Sequence, residues 1–204
     1  MVADHGSGLP DVRVCVFGDS LVAGVGDSRA LGWVGRVAAR TPPSSGVDVT
    51  VYPLGVRGET VAEVALRVPL ESAPRFARGD RRRLVVSAGV KDAVNGASPA
   101  ESVGALRFLL TATTTRTLVV GPPPIGDSAI RSRIAALDVA FSDLCGELDQ
   151  PYITTFEPLN AHDAWRPDEF SDGAHPDHAG YGLLADLVLH GGWFPFVGAA
   201  ATQP

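Results

Sequence analysis

The chain has 204 residues, of which 45% are hydrophobic and 20% are charged, and this is the composition of an ordinary globular domain. Its formal net charge of −6 disfavours nucleic acid as a partner, because binding to nucleic acid requires a concentrated basic surface. Two cysteines, Cys15 and Cys145, are too few for a disulfide framework and are predicted to be buried free thiols. We expect one domain over residues 1–204, with a core at about 12–190 and flexible tails at 1–10 and 198–204.

The N-terminal sequence MVADHGSGLPD has neither a basic segment nor an apolar core, so it is unlike a secretory signal. No run of eighteen apolar residues occurs anywhere in the chain, so no membrane span is predicted. Together these features predict a soluble, cytoplasmic protein.

Short apolar runs rich in β-branched residues predict strands at 12–17, 47–52, 84–88, 118–120 and 152–156. Apolar residues at helical spacing predict helices at about 32–40, 60–70, 99–113, 128–149 and 178–190. The basic run 81–83 directly precedes the third predicted strand and is interpreted as a solvated loop rather than a binding patch. This alternation predicts an α/β fold with a mainly parallel sheet, which helices cover on both faces. Ligands of such sheets bind outside the carboxyl ends of the strands.

The first predicted strand ends in Gly18-Asp19-Ser20-Leu21. Ser20 would then lie exposed at the sheet edge near a helix start, where its own N–H can point at the oxygen of a substrate. The ordinary alternative is a serine that caps a helix. A phosphate-binding loop at 24–26 is disfavoured, because GVGDSR lacks the third glycine of the dinucleotide fingerprint and no GKS or GKT occurs.

A second polar segment, SDGAHP at 171–176, precedes the last predicted helix. A serine needs a general base to become nucleophilic, and a histidine needs a carboxylate to fix its tautomer. Asp172 and His175 lie three residues apart, so both side chains could reach toward Ser20.

Together these segments resemble the GDSL, or SGNH, hydrolases, a family of esterases, lipases and acyl hydrolases. FGDSLVAGVGD resembles the first block of the family and implies that Ser20 is the nucleophile. PLGVRGET resembles the second block, in which the N–H of Gly58 would contribute to the oxyanion hole, and DGAHPDHAGY resembles the fifth block, which assigns Asp172 and His175 to the triad. The resemblance covers about 12–190 and implies a flavodoxin-like three-layer α/β/α sandwich with a five-stranded sheet in the order 2-1-3-4-5.

The third block of the family is G-x-N-D, whereas this chain has Gly89-Val90-Lys91-Asp92, so Lys91 replaces the asparagine that donates to the oxyanion. Three hypotheses remain open for Lys91. It could be the third oxyanion donor, or it could bind a carboxylate or phosphate of the substrate, act as a base or support acyl transfer. It could instead face solvent or pair with Asp92 or Asp19, in a weakly active enzyme or a binding module. Asn95, one helical turn later, could partly replace the missing amide.

Other residues of the predicted edge have weaker assignments. Pro53, where relatives commonly carry asparagine, is compatible with a strand end. Asp19 and Arg57 flank the predicted site and could contact substrate, although solvation is the simpler interpretation for Arg57. Trp165 and Phe170 precede the triad segment and could line an acyl or aromatic pocket or simply pack. The C-terminal aromatic cluster, formed by Trp193, Phe194 and Phe196, is predicted to pack onto the core rather than to form a dimer contact.

The resemblance implies a serine hydrolase that cleaves an ester or thioester of a small molecule or lipid through an acyl-enzyme. The alternatives are an acyltransferase or biosynthetic tailoring enzyme with the same triad, and a catalytically impaired binding protein. No cofactor is expected. No metal is expected either, since His162, His175 and His178 share a region without a clear cluster of Cys or carboxylate ligands. The oligomeric state is left open.

Overall fold

A computed structural model of the protein describes residues 8–170 and 172–201, so residues 1–7 and 202–204 of the predicted tails lie outside the described residues. Strands β1 to β5 are Asp11–Gly18, Asp48–Gly55, Arg81–Ser87, Thr117–Val120 and Tyr152–Ile153. Helices α1 to α8 are Gly32–Ala39, Val61–Phe76, Val90–Asn95, Pro99–Ala112, Ser128–Glu147, Phe156–Asn160, His178–Val188 and Phe194–Val197. A π-helical turn, Leu189–Trp193, joins α7 to α8, and single 3₁₀ turns occur at Pro43–Ser45 and Pro167–Glu169. No helix of the described residues is long and apolar enough to cross a membrane.

The five strands form one parallel sheet in the order β2-β1-β3-β4-β5. Strands β1 and β4 are largely buried and β3 is buried from Leu84 onward, as expected for parallel strands covered on both faces. Helix α1 packs against α7, whereas α2, α4 and α5 pack against one another in succession, so helices cover both faces. The predicted three-layer α/β/α fold and its strand order are confirmed.

Helix α2 is longer than predicted, because it continues through Pro69 and Pro74 to Phe76. A capping box starts it, in which the Thr60 side chain accepts from the backbone of Glu63 while the Glu63 carboxylate accepts from the backbone of Thr60. Its buried stripe extends past both prolines at helical spacing, so packing outweighs the lost backbone hydrogen bonds. The stripe consists of Val61, Val64, Ala65, Val68, Ser72 and Phe76.

Other elements also differ from the prediction. The basic run 81–83 is the start of β3 rather than a loop, because it pairs with Val12, Arg13 and Val14 of β1. The predicted strand 152–156 ends at Ile153, and helix α6 begins at Phe156. Helix α3, which carries the segment VKDAVN, was not predicted, because six residues are too few to show a helical period.

The C-terminal aromatic cluster packs onto the core, as predicted. Trp193 is fully buried, and its Nε1 donates to the hydroxyl of Thr41 at 2.8 Å. Phe196 is buried beside it, whereas Phe194 is only partly buried. These contacts tie the last helix to the end of α1.

Candidate active site

The residues predicted from the sequence blocks converge at the carboxyl edge of the sheet. Ser20 follows β1, Gly58 follows β2 and Lys91 follows β3, whereas Asp172 and His175 come from the loop between α6 and α7. Because the carboxyl ends of parallel strands meet at one edge, these segments border a single cavity of about 350 Å³. It is lined by Asp19, Ser20, Arg57, Gly58, Val90, Lys91, Val94, Ile125, Ala174 and His175.

Ser20, His175 and Asp172 form a continuous hydrogen-bonded chain. The Nε2 atom of His175 lies 2.8 Å from Ser20 Oγ, and its Nδ1 atom lies 2.5 Å from Asp172 Oδ2. With the ring proton on Nδ1, the imidazole donates to Asp172 and accepts from the Ser20 hydroxyl, so one tautomer satisfies both bonds. This is the arrangement in which a histidine can take the proton of a serine.

The Asp172 carboxylate is oriented by its own loop. Its Oδ1 accepts from the N–H groups of Ala174 at 3.1 Å and of His175 at 2.8 Å. Burial acts to raise the pKa of Asp172, but the hydrogen bonds from the His175 ring and from the two N–H groups outweigh it and lower the pKa to about 2. The carboxylate is therefore ionised near neutral pH and can stabilise an imidazolium.

Two backbone donors, the N–H groups of Ser20 and Gly58, border the same cavity. Neither N–H donates a hydrogen bond to any part of the chain that the structure describes. Gly58 has a φ of +79°, which favours glycine, and a Cβ there would meet no atom within 4 Å. Free N–H groups at a serine are the donor type that stabilises a developing oxyanion.

Asp19 is buried at the floor of the cavity, with only 3% of its surface exposed. Its carboxylate accepts from the N–H of Leu21 at 2.9 Å, which holds the turn that presents Ser20. Burial raises the pKa of Asp19 to about 6, although this hydrogen bond and the nearby His175 act in the opposite direction. Asp19 thus lines the same cavity as Ser20 and His175, and contact with a substrate stays a prediction.

Gly26 is a site residue that the sequence analysis did not identify. It has a φ of +91°, and a Cβ there would lie 2.8 Å from the carbonyl oxygen of Pro176 and 3.0 Å from Cβ of His175. The loop after Ser20 therefore lies directly against the backbone of His175 and Pro176. The only sequence signal was Gly24-Val25-Gly26, which was considered as a phosphate loop.

The neighbouring Asp27 organises the same loop. Its buried carboxylate accepts from the N–H groups of Arg29, Leu31 and Gly32 and pairs with the guanidinium of Arg36. The Arg36 pairing, more than the backbone donors, holds the pKa of Asp27 well below its usual range. Asp27 is thus a fixed anion that shapes the segment between Ser20 and α1.

Lys91 is the second residue of α3 and lines the cavity in a half-buried position. It pairs with neither Asp92 nor Asp19. The buried carboxylate of Asp92 accepts instead from the N–H of Val61 at 3.0 Å and from the Ser102 hydroxyl at 2.9 Å. These bonds fix α3 against α2 and α4, and the ammonium of Lys91 forms no hydrogen bond or ion pair within the described chain.

Four other residues were predicted to contact substrate, and one of them, Arg57, lines the cavity. Asn95 is exposed at the end of α3 and is not part of the lining. Trp165 is buried away from the cavity, where its Nε1 donates to the carbonyl of Pro124 at 2.8 Å. Phe170 meets Trp165 edge-on, with ring centroids 5.4 Å apart, and lines a smaller cavity of about 250 Å³ that His175 also lines. Over residues 8–170 and 172–201, no group of three or more His, Cys, Asp or Glu side chains is placed to hold a metal ion.

Comparison with known proteins identifies the family and the fold. The model of the family described as "GDSL-like Lipase/Acylhydrolase" matches residues 16–183. No curated protein matched the chain by sequence comparison. Among solved structures, a lipase/acylhydrolase from Enterococcus faecalis superposes with a TM-score of 0.77 at 19% identity, covering 94% of this chain and 99% of its own.

Two further structures share the fold. TesA superposes with a TM-score of 0.72 at 22% identity, covering 88% of this chain and 97% of its own. Axe2, an acetylxylan esterase from Geobacillus stearothermophilus, superposes with a TM-score of 0.71 at 18% identity, covering 88% and 93%. The match to the family model spans most of the chain, and the prediction from the sequence blocks is confirmed: the chain belongs to the GDSL-like lipase/acylhydrolase family.

Proposed function

We propose that the protein is a serine hydrolase that cleaves an ester or thioester of a small molecule or lipid. The observation that carries the proposal is the hydrogen-bonded chain Ser20–His175–Asp172, which borders the same cavity as two free N–H groups. A nucleophile, a base, an orienting carboxylate and oxyanion donors are the parts that acyl transfer requires.

In the first half of the reaction, Ser20 Oγ forms a bond to the acyl carbon while His175 Nε2 takes the hydroxyl proton. The tetrahedral oxyanion accepts hydrogen bonds from the N–H groups of Ser20 and Gly58. Asp172 keeps the imidazolium in place through Nδ1. His175 then gives its proton to the leaving alcohol or thiol as the C–O or C–S bond breaks, which leaves an acyl-Ser20 ester.

In the second half, water attacks the acyl carbon and gives a proton to His175 Nε2. Collapse of the second tetrahedral intermediate breaks the bond to Ser20 Oγ, and the histidine returns the proton to the serine. The products are a carboxylic acid and the alcohol or thiol. Lys91 lines the same cavity, and a third donor is not needed for these steps, because the two N–H groups already face the developing oxyanion.

A fluorophosphonate probe tests the triad directly, because the probe needs an activated serine and no knowledge of the substrate. We expect labelling of the wild type at Ser20, no labelling of Ser20→Ala, and a loss of about 10²–10⁴-fold in the rate for Asp172→Asn. Ser132→Ala is the matched control, since Ser132 is exposed on α5 and its hydroxyl, among the described residues, donates to the carbonyl of Ser128 alone. Short acetyl esters are the first substrates to assay, since Axe2 is an acetylxylan esterase. A folded wild type that stays unlabelled would refute the proposal.

A further inference from the structure

Two cations face the candidate active site without a partner. Arg57 and Lys91 line the same cavity as Ser20 and His175. Neither side chain has a hydrogen bond or an ion pair with any described residue. Arg57 follows β2 and Lys91 follows β3, so the fold brings the two residues to the same cavity.

The acidic residues near these cations are engaged elsewhere. Glu59, two residues after Arg57, bonds to Arg67 at 2.7 Å. Glu63 accepts from the N–H and hydroxyl of Thr60 at 2.8 Å, and these bonds, with a smaller contribution from the Lys91 charge, lower its pKa. Since Asp92 is held by α2 and α4, none of the three carboxylates neutralises Arg57 or Lys91 by direct contact.

The other described residues that line the cavity do not neutralise the positive charge of Arg57 and Lys91. Of the described residues that line it, Asp19 is the one carboxylate, and it is buried and bonded to the N–H of Leu21. The other walls are apolar, formed by Val90, Val94, Ile125 and Ala174. A substrate in this cavity would therefore meet apolar side chains, the Ser20 hydroxyl and two positive charges that no direct contact with a described residue neutralises.

We propose that Arg57 and Lys91 bind an anionic oxygen group of the substrate, so that the preferred substrate is an ester or thioester that also carries a carboxylate or a phosphate. This inference rests on the proposed hydrolase function and names its substrate class. A guanidinium offers paired donors and an ammonium a compact charge, and both bonds to an anion are charge-assisted. Lys91 thereby acts on the substrate's own anion rather than chiefly on the oxyanion.

Matched esters that differ only in charge test the substrate class. On the acyl side, monomethyl adipate is compared with the neutral amide methyl adipamate. On the alcohol side, 4-acetoxybutanoate is compared with 4-acetoxybutanamide, and 4-acetoxybutyl phosphate distinguishes a phosphate from a carboxylate. We expect kcat/KM to be about tenfold higher for the anionic member of at least one pair, and the preference to shrink as salt is raised.

Substitutions of Arg57 and Lys91 test whether these two residues cause the preference for the anionic ester. Lys91→Met and Arg57→Gln are each expected to lower kcat/KM for the anionic ester about three- to tenfold with little change for the neutral ester. Lys91→Arg, which keeps the charge, should retain most of the preference. Arg116→Gln is the matched control, because Arg116 is exposed at the opposite edge of the sheet and should not change it.

Each outcome decides between the two proposals. If the wild type is not labelled by fluorophosphonates, the hydrolase proposal itself fails. If it is labelled but shows no charge preference, the anion site is wrong and the hydrolase proposal stands. If Lys91→Met slows the neutral and anionic esters equally, Lys91 acts on the oxyanion and the anion site is again wrong. Should none of these esters turn over, the labelling rates of a carboxylate-bearing fluorophosphonate and its amide decide the question in the same way.

Discussion

Replacement of Gly26 by alanine should separate histidine positioning from general stability. Gly26 has a φ of +91°, and this conformation costs an alanine about 1–2 kcal/mol. Its new Cβ would lie 2.8 Å from the oxygen of Pro176 and 3.0 Å from Cβ of His175, closer than the ordinary contact range of 3.4–4 Å. Relief of this overlap adds about 1–3 kcal/mol, so the free energy of unfolding should fall by about 2–5 kcal/mol.

The overlap also predicts a loss of activity in the protein that remains folded. His175 must move away from the Gly26 loop by a few tenths of an ångström, and the 2.8 Å contact between Nε2 and Ser20 Oγ depends on that position. A misplacement of 1 Å costs about 10²-fold in rate, so the smaller shift should slow fluorophosphonate labelling about tenfold. Urea unfolding gives the stability, and the second-order labelling constant gives the positioning effect.

Gly46→Ala is the matched control, because Gly46 has a φ of +90° but no atom within 4 Å of the new Cβ. It should cost about 1–2 kcal/mol of stability from the backbone alone and leave the labelling constant unchanged. Equal labelling constants for both variants and the wild type would refute the assignment of Gly26 as a support for His175.

Three further predictions follow from buried groups. Asp27→Asn should lower the free energy of unfolding in urea denaturation by about 3 kcal/mol, because it removes one partner of a buried ion pair. Asp11→Asn, which removes one partner of a more exposed pair, should cost less than about 1 kcal/mol. Similar losses of stability in the two variants would contradict the role of Asp27. Burial raises the pKa of Asp19 from about 4 to about 6, so its contribution to stability is full below pH 4 and is lost as the pH rises through 6. The stability of Asp19→Asn should therefore gain up to roughly 3 kcal/mol on that of the wild type between pH 4 and pH 8. Parallel pH profiles of the two proteins would exclude this. Burial also raises the pKa of the Cys15 and Cys145 thiols to about 12, so Ellman's reagent should modify neither thiol before the protein unfolds. Rapid modification of the native protein would contradict their burial.

The fold was predictable because its signals are local and consistent. Buried parallel strands give short β-branched runs, and the long helix α5 repeats apolar residues at a clear helical period. Errors occurred where packing overrides a local signal. Pro69 and Pro74 should end a helix, but the buried side of α2 continues to Phe76, and the charged start of β3 is a strand because β1 pairs with it.

The candidate site was predictable only as far as its sequence blocks extend. Ser20, Gly58, Asp172 and His175 lie within those blocks, and their proximity follows from the parallel sheet. The contact between Gly26 and His175 was not predictable, because it joins loops about 150 positions apart and depends on two backbone paths. A glycine in a loop signals freedom of the backbone but not which distant residue lies against it.

The environment of Lys91 explains why the replacement of asparagine predicted from the third block would leave the fold undisturbed. Its neighbour Asp92 accepts from α2 and α4, so the position of the α3 backbone is set by a buried carboxylate that the substitution leaves intact. The longer side chain of lysine carries its charge farther from the backbone than an asparagine amide can. The nearby carboxylates of Glu59 and Glu63 are already bonded, so the charge is not cancelled by a contact at the cavity. A longer, charged and uncompensated side chain that shares its cavity with Arg57 is better suited to an anion on the substrate than to the close geometry of an oxyanion hole.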